Sequence, residues 1–160
     1  MSNVISLKNK SKEKIFADIS FSIHNLIAAL KVAIRNLENK PFNVNLVVKV
    51  KEVNETILSP ALEEVAKIQK NVRRLKRLNI DNDKLDDILL LINNLSIDIS
   101  LAKKGLKEIT LRSNAQVLVQ IILKNNLLPA LVKPKKIWDK LREARGDYDF
   151  LDPRWQKSEE

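Results

Sequence analysis

The chain holds 160 residues, 44% hydrophobic and 31% charged, which is enough for one folded core and too apolar for a disordered polymer. The absence of cysteine excludes disulfides, thiol chemistry and cysteine-based metal sites, while two glycines and five prolines are too few for the turns of a β-sandwich or a doubly wound α/β fold. Twenty-nine Lys+Arg against twenty Asp+Glu leave a net charge of +9, which favours a polyanionic partner: nucleic acid, an acidic protein surface or an anionic membrane.

The first eight residues, Met1 to Lys8, lack the apolar run of a signal peptide, and residues 1–10 read as a loose basic arm. A single helical domain is expected over 11–146. Its first helix starts at Ser11, an N-cap residue, and Ile15, Ile19, Ile23, Leu26, Leu30, Ala33 and Leu37 recur three or four apart as its buried stripe. His24 lies in this helix with no second histidine to work with, and reads as structural. Pro41 ends the helix.

Residues 43–57 fit two patterns: Val44, Leu46, Val48 and Val50 alternate like a strand, while Leu46, Val50, Val53 and Ile57 keep helical spacing. Helix is favoured, because no second strand is present to pair with. Ser59-Pro60 then reads as the start of a new helix, with the stripe Ala61, Val65, Ile68, Val72 and Leu75. Asp81, Asp83, Asp86 and Asp87 crowd the opening of the next, where carboxylates complement the helix dipole. Asp81-Asn82-Asp83 is not a calcium loop, since Leu85 stands where an oxygen ligand belongs.

A short helix is expected over 100–108, ending near Gly105. Ser113-Asn114-Ala115-Gln116 has the form of a capping box, Pro129 and Pro134 punctuate the stretch beyond it, and a last helix from about Lys135 ends at Gly146. The segments Phe42 to Leu46 and Ile97 to Leu101 share an apolar-polar alternation 55 residues apart, a candidate duplication. The fold class that emerges is all-α, a compact bundle or stack of six or seven helices.

No segment reaches the ~20 apolar residues of a membrane span. The expectation is a soluble intracellular protein with no membrane partner, nucleus or cytoplasm left open. No constellation of nucleophile, base or metal ligands emerges, so neither an enzyme nor a cofactor is expected.

The strongest surface feature is Lys67, Lys70, Arg73, Arg74, Lys76 and Arg77, six cations in eleven residues without an acid. Counting 100° per residue sets Lys67, Lys70, Arg74 and Arg77 opposite the apolar stripe, a ridge suited to phosphate backbones. A second basic group, Lys133, Lys135 and Lys136, precedes Trp138, itself read as a core anchor. The tail over 147–160 mixes Tyr148, Phe150 and Trp155 with acids, and can dock on a basic apolar groove of this protein or of a partner.

Leu78-Asn79-Ile80-Asp81-Asn82, the run Leu95 to Leu101, and Trp138 with Leu141 give residues 79–142 a resemblance to the helical N-terminal domain of transcription elongation factor S-II and the related integrase-binding domain of lens-epithelium-derived growth factor. In that family an alternating segment links two helices and a tryptophan closes the last one. The resemblance implies a non-catalytic scaffold for acidic-aromatic peptides of transcription or chromatin partners. The expected function is therefore a helical binding module in a larger assembly, in contact with other protein subunits and a polyanion. The alternative is a nucleic-acid-binding subunit of a ribonucleoprotein complex.

Overall fold

A computed structural model describes residues 2–38, 45–78, 82–110 and 114–145, with side chains described throughout except at 2–10, 45 and 82. Every regular element in these ranges is helical. There are four helices rather than six or seven: α1 (Ser2–Glu38), α2 (45–77), α3 (Asn82–Lys107) and α4 (Ala115–Arg145). Residues 45–58, which fitted strand or helix, are helical.

Proline accounts for most of the overcount. Pro60 and Pro129 lie inside long helices that pass through them. A proline in a helix lacks the N–H of its turn, and its ring crowds the carbonyl four residues back. Here the helix widens by one residue just before each proline, at Val53–Leu58 and at Leu123–Leu127. In these π turns the Ser59 N–H bonds to the Asn54 carbonyl and the Leu128 N–H to the Leu123 carbonyl, five residues back in each case. Pro134 is likewise inside α4 and buried.

Three other expected boundaries also move. α1 runs through Ser11 from Ser2. α3 runs through Ser100 and Gly105, because Ile99, Ala102 and Leu106 carry its buried stripe onward without a break. Gly105 caps nothing; it lets α4 approach, since a Cβ there would lie 2.8 Å from Ile122 Cδ1. Asn114 precedes α4 without a side-chain capping bond.

The four helices pack as a ring, each against the next and α4 back against α1, joined by short connections as in an up-and-down bundle. Their stripes merge in one core that includes Leu26, Leu30, Ile68, Leu95, Ile137 and Trp138. The α1–α4 seam is marked by the Arg145 guanidinium 5.1 Å from the centre of the Phe16 ring. Two of the helical segments, Ser11–Glu38 and Ala115–Arg145, are long and apolar enough to cross a membrane, contrary to the sequence expectation; both contribute stripes to the core.

The α1–α2 and α3–α4 hairpins are repeats of each other. Residues 16–77 align with 85–146 at a constant offset of 69 without a gap, and 17 of the 62 pairs are identical. Pro60-Ala61-Leu62 falls on Pro129-Ala130-Leu131, and Ile19, Ile23 and Leu26 fall on Ile88, Ile92 and Leu95, with all six of these stripe residues buried. The π turns correspond too, Asn54/Ser59 with Leu123/Leu128. The alternation 55 residues apart is not this repeat, because Ile97 to Leu101 lie in the middle of α3.

Candidate polyanion-binding ridge

The lower half of α2, Ser59–Arg77, buries Ala61, Val65, Ile68, Val72 and Leu75. That fixes the helix's rotation, so Lys67, Lys70, Arg73, Arg74 and Arg77 are exposed. At 1.5 Å rise per residue the ridge is about 15 Å long. It is largely uncommitted: Lys67 meets Glu64 at 3.4 Å with its side chain still 62% exposed, and Arg74 donates to Asn71 Oδ1 at 3.2 Å. Lys76 lies toward α3 and pairs with Asp86 at 2.5 Å, so it belongs to the α2–α3 seam more than to the ridge. Among the described residues no ion pair involves Lys70, Arg73, Arg74 or Arg77. The last turn of α2 also gathers Arg74, Lys76 and Arg77, where cations complement the helix C-terminus.

The second hairpin is an internal control for this surface. At the positions of Lys70 and Arg74 it has Asp139 and Glu143, and at that of Arg73 it has Arg142, buried and 3.8 Å from Asp139. The twin helix thus interrupts the row with two acids, whereas α2 carries its two, Glu63 and Glu64, ahead of the cations.

The second basic group does not act as one patch. Lys133 is drawn into an ion pair with Asp98 that joins α4 to α3, and both side chains are mostly buried. Lys135 and Lys136 are exposed. Trp138 and its neighbour Ile137 are core residues, and His24 is exposed on α1. Tyr148, Phe150 and Trp155 lie outside the described residues. Residues 97–101, the alternating run of the S-II resemblance, fall within one helix and join no two.

One site escaped the sequence reading. At the π turn of α2, the Lys103 Nζ of α3 donates to the Asn54 carbonyl at 3.2 Å, to Asn54 Oδ1 at 2.9 Å and to Ser59 Oγ at 2.5 Å. Asn54 Nδ2 donates in return to the Lys103 carbonyl at 3.1 Å. All three ammonium hydrogens are used, which ties this lysine to α2. In the other repeat the corresponding residues are Ile34, Leu123 and Leu128. The offset of 69 was the available signal, since it exposes Asn54 and Lys103 as polar residues where the twin hairpin is apolar.

Among the described residues the molecule is an up-and-down bundle of four helices, with a basic ridge on α2 whose run 67–77 holds no acid. No family model, curated protein or solved structure matches the chain.

Proposed function

We propose that this protein is a non-catalytic binding module whose α2 ridge holds a polyanion, a nucleic-acid phosphate backbone, inside a larger assembly. The carrying observation is that Lys70, Arg73, Arg74 and Arg77 are exposed and make no ion pair among the described residues, while the twin helix places acids at two of the same positions. Cations held on a rigid helix give affinity through counterion release without reading sequence. The transcription- or chromatin-type reading keeps the same ridge but sets an acidic protein surface against it.

Binding of labelled single- and double-stranded DNA and RNA across a salt series tests this. The expected result is affinity falling linearly in log salt, with a slope reporting about four phosphates engaged by the ridge. Charge reversal by R73E, R74E and R77E should abolish binding and leave the helical circular dichroism unchanged, because these side chains support no packing. Binding by the triple variant equal to wild type would overturn the proposal. A wild-type protein that ignores nucleic acid but captures an acidic peptide would move the ridge to the protein-interaction reading.

A further inference from the structure

We infer that the outward face of α3 is a self-pairing seam, on which a second copy of this chain packs its own α3 antiparallel across a two-fold axis. Ile88, Ile92, Leu95 and Ile99 are buried and fix the rotation of α3. The opposite side then presents Asp87, Leu90, Asn94, Ile97, Leu101 and Lys104, spaced 3-4-3-4-3. That is the narrow spacing of a coiled-coil seam rather than the wider stripe of a helix laid on a core. Its apolar members Leu90, Ile97 and Leu101 are 61%, 47% and 50% exposed. The core does not explain them, yet the repeat keeps them. At the offset of 69, α1 carries Asp18, Phe21, Asn25, Ala28, Val32 and Arg35, the same order of acid, apolar, asparagine, apolar, apolar and base. Phe21 and Val32 are exposed too, and the asparagine is identical in both repeats.

Spacing and charge name the occupant. In an antiparallel pair the seam matches itself: Asp87 meets Lys104 of the second copy, Leu90 meets its Leu101 and Asn94 meets its Ile97, in both directions. Apolar residues cover apolar ones, and an acid meets a base at each end of a seam about 26 Å long. The two Asn94 carboxamides fall in the central layers, where one polar residue sets register. A parallel pair would instead put acid on acid and base on base. The same gradient runs through the whole helix, which opens with Asp83, Asp86 and Asp87 and closes with Lys103, Lys104 and Lys107. Lys84 and, past the last turn, Glu108 run against it. Asp86, Asp98 and Lys103 are committed within the molecule, to Lys76, Lys133 and Asn54. α3 is also where two basic molecules repel least. Between Asn82 and Lys107 four acids balance four bases, whereas α1, α2 and α4 each carry a net positive charge. α1 keeps the spacing but offers only Ala28 at its centre, which makes it the poorer seam. On α4, Val132 is exposed beside Lys133 as Ile97 is beside Asp98, so apolar surface continues across that ion pair. Three apolar residues a side make a small contact, and the association is expected to be weak.

Sedimentation velocity of the full chain across a concentration series, without nucleic acid, tests this. The expected result is a shift from 18.3 kDa toward twice that mass as concentration rises. Leu90→Asp with Leu101→Asp, both at exposed positions, should weaken the association about tenfold or more and leave the circular dichroism unchanged. Charge tests the register. Asp87→Lys or Lys104→Asp alone should weaken pairing, and the two together should restore it, because the swapped ends again meet opposite signs. The chain holds no cysteine, so Leu90→Cys and Leu101→Cys chains give a second reading under oxidation. A mixture of the two is expected to cross-link, and neither by itself. A chain monomeric at every concentration would overturn the inference. So would a dimer indifferent to the α3 substitutions, or one lost instead on Phe21→Asp with Val32→Asp. Monomers that bind phosphatidylserine vesicles, and lose that binding with Leu90→Asp and Leu101→Asp, would give the face to a lipid surface and overturn it too. Arg73, Arg74 and Arg77 enter none of these readouts, so this result and that of the salt series stand apart.

Discussion

Lys103 and Asn54 show how one lysine fixes the geometry of a helix seam. Asn54 is 9% exposed, and its carboxamide oxygen takes a hydrogen bond from the Lys103 ammonium. Replacing Lys103 by isoleucine, the residue type at its counterpart Ile34, removes that donor and leaves a buried acceptor, at an expected cost of about 1–3 kcal/mol. Asn54→Leu alone has a different effect, since the ammonium keeps the Asn54 backbone carbonyl and Ser59 Oγ and can shift toward water. Combined, the two changes reproduce the pairing of Ile34 with Leu123 and should recover most of the loss. A denaturant double-mutant cycle is expected to give a coupling of about 0.5–3 kcal/mol, and additive single effects would show that the seam does not act as a unit.

At the scale of the helix, the two π turns make a prediction about local opening. Each precedes a proline that donates no backbone hydrogen bond, so the ladder is weakest at 54–60 and 123–129. Amide hydrogen exchange should show a protection minimum at each place, beside well-protected stretches at 65–75 and 137–142. Unprotected gaps as fast as a free loop would instead restore the broken helices that the sequence suggested. The contrast explains what was legible. The stripes were, because burial repeats every three or four residues over several turns, and Ala61, Val65, Ile68, Val72 and Leu75 all went where the spacing put them. The ridge came from the same rotation. Proline is a local signal, and whether a helix breaks or widens there depends on what the next turn can still bury. Beyond Pro60 and Pro129 stand Ala61 and Ala130, each fully buried, and that packing carries both helices through. The repeat was missed for a related reason: the alternation at 42–46 and 97–101 is a short pattern of residue types, whereas the true offset is held by buried positions spread over whole helices.

Across the whole molecule, the repeat raises the question of why the two hairpins pair with each other rather than with copies of themselves. The ring places α2 against α3 and α4 against α1, and the offset makes these two seams counterparts. One seam is polar, Asn54 with Lys103, and the counterpart positions of the other are the apolar Leu123 and Ile34, both buried. Two copies of the first hairpin would face Asn54 with Ile34 at both seams, burying two carboxamide oxygens without the ammonium donor. Two copies of the second would face Lys103 with Leu123, burying two ammonium groups away from an acceptor side chain. The mixed pair alone satisfies both seams, in the way a single polar position sets register and partner in coiled coils. Co-expression of 1–78 and 79–160 as separate chains is therefore expected to yield a one-to-one complex with the circular dichroism of the intact protein, each half alone remaining poorly folded. Asn54→Leu in the first half should lift the penalty on its self-pairing and produce a 1–78 homodimer detectable by sedimentation. If unaltered 1–78 pairs with itself as tightly as with 79–160, the polar seam plays no part in choosing the partner, and the preference must come from the rest of the interface.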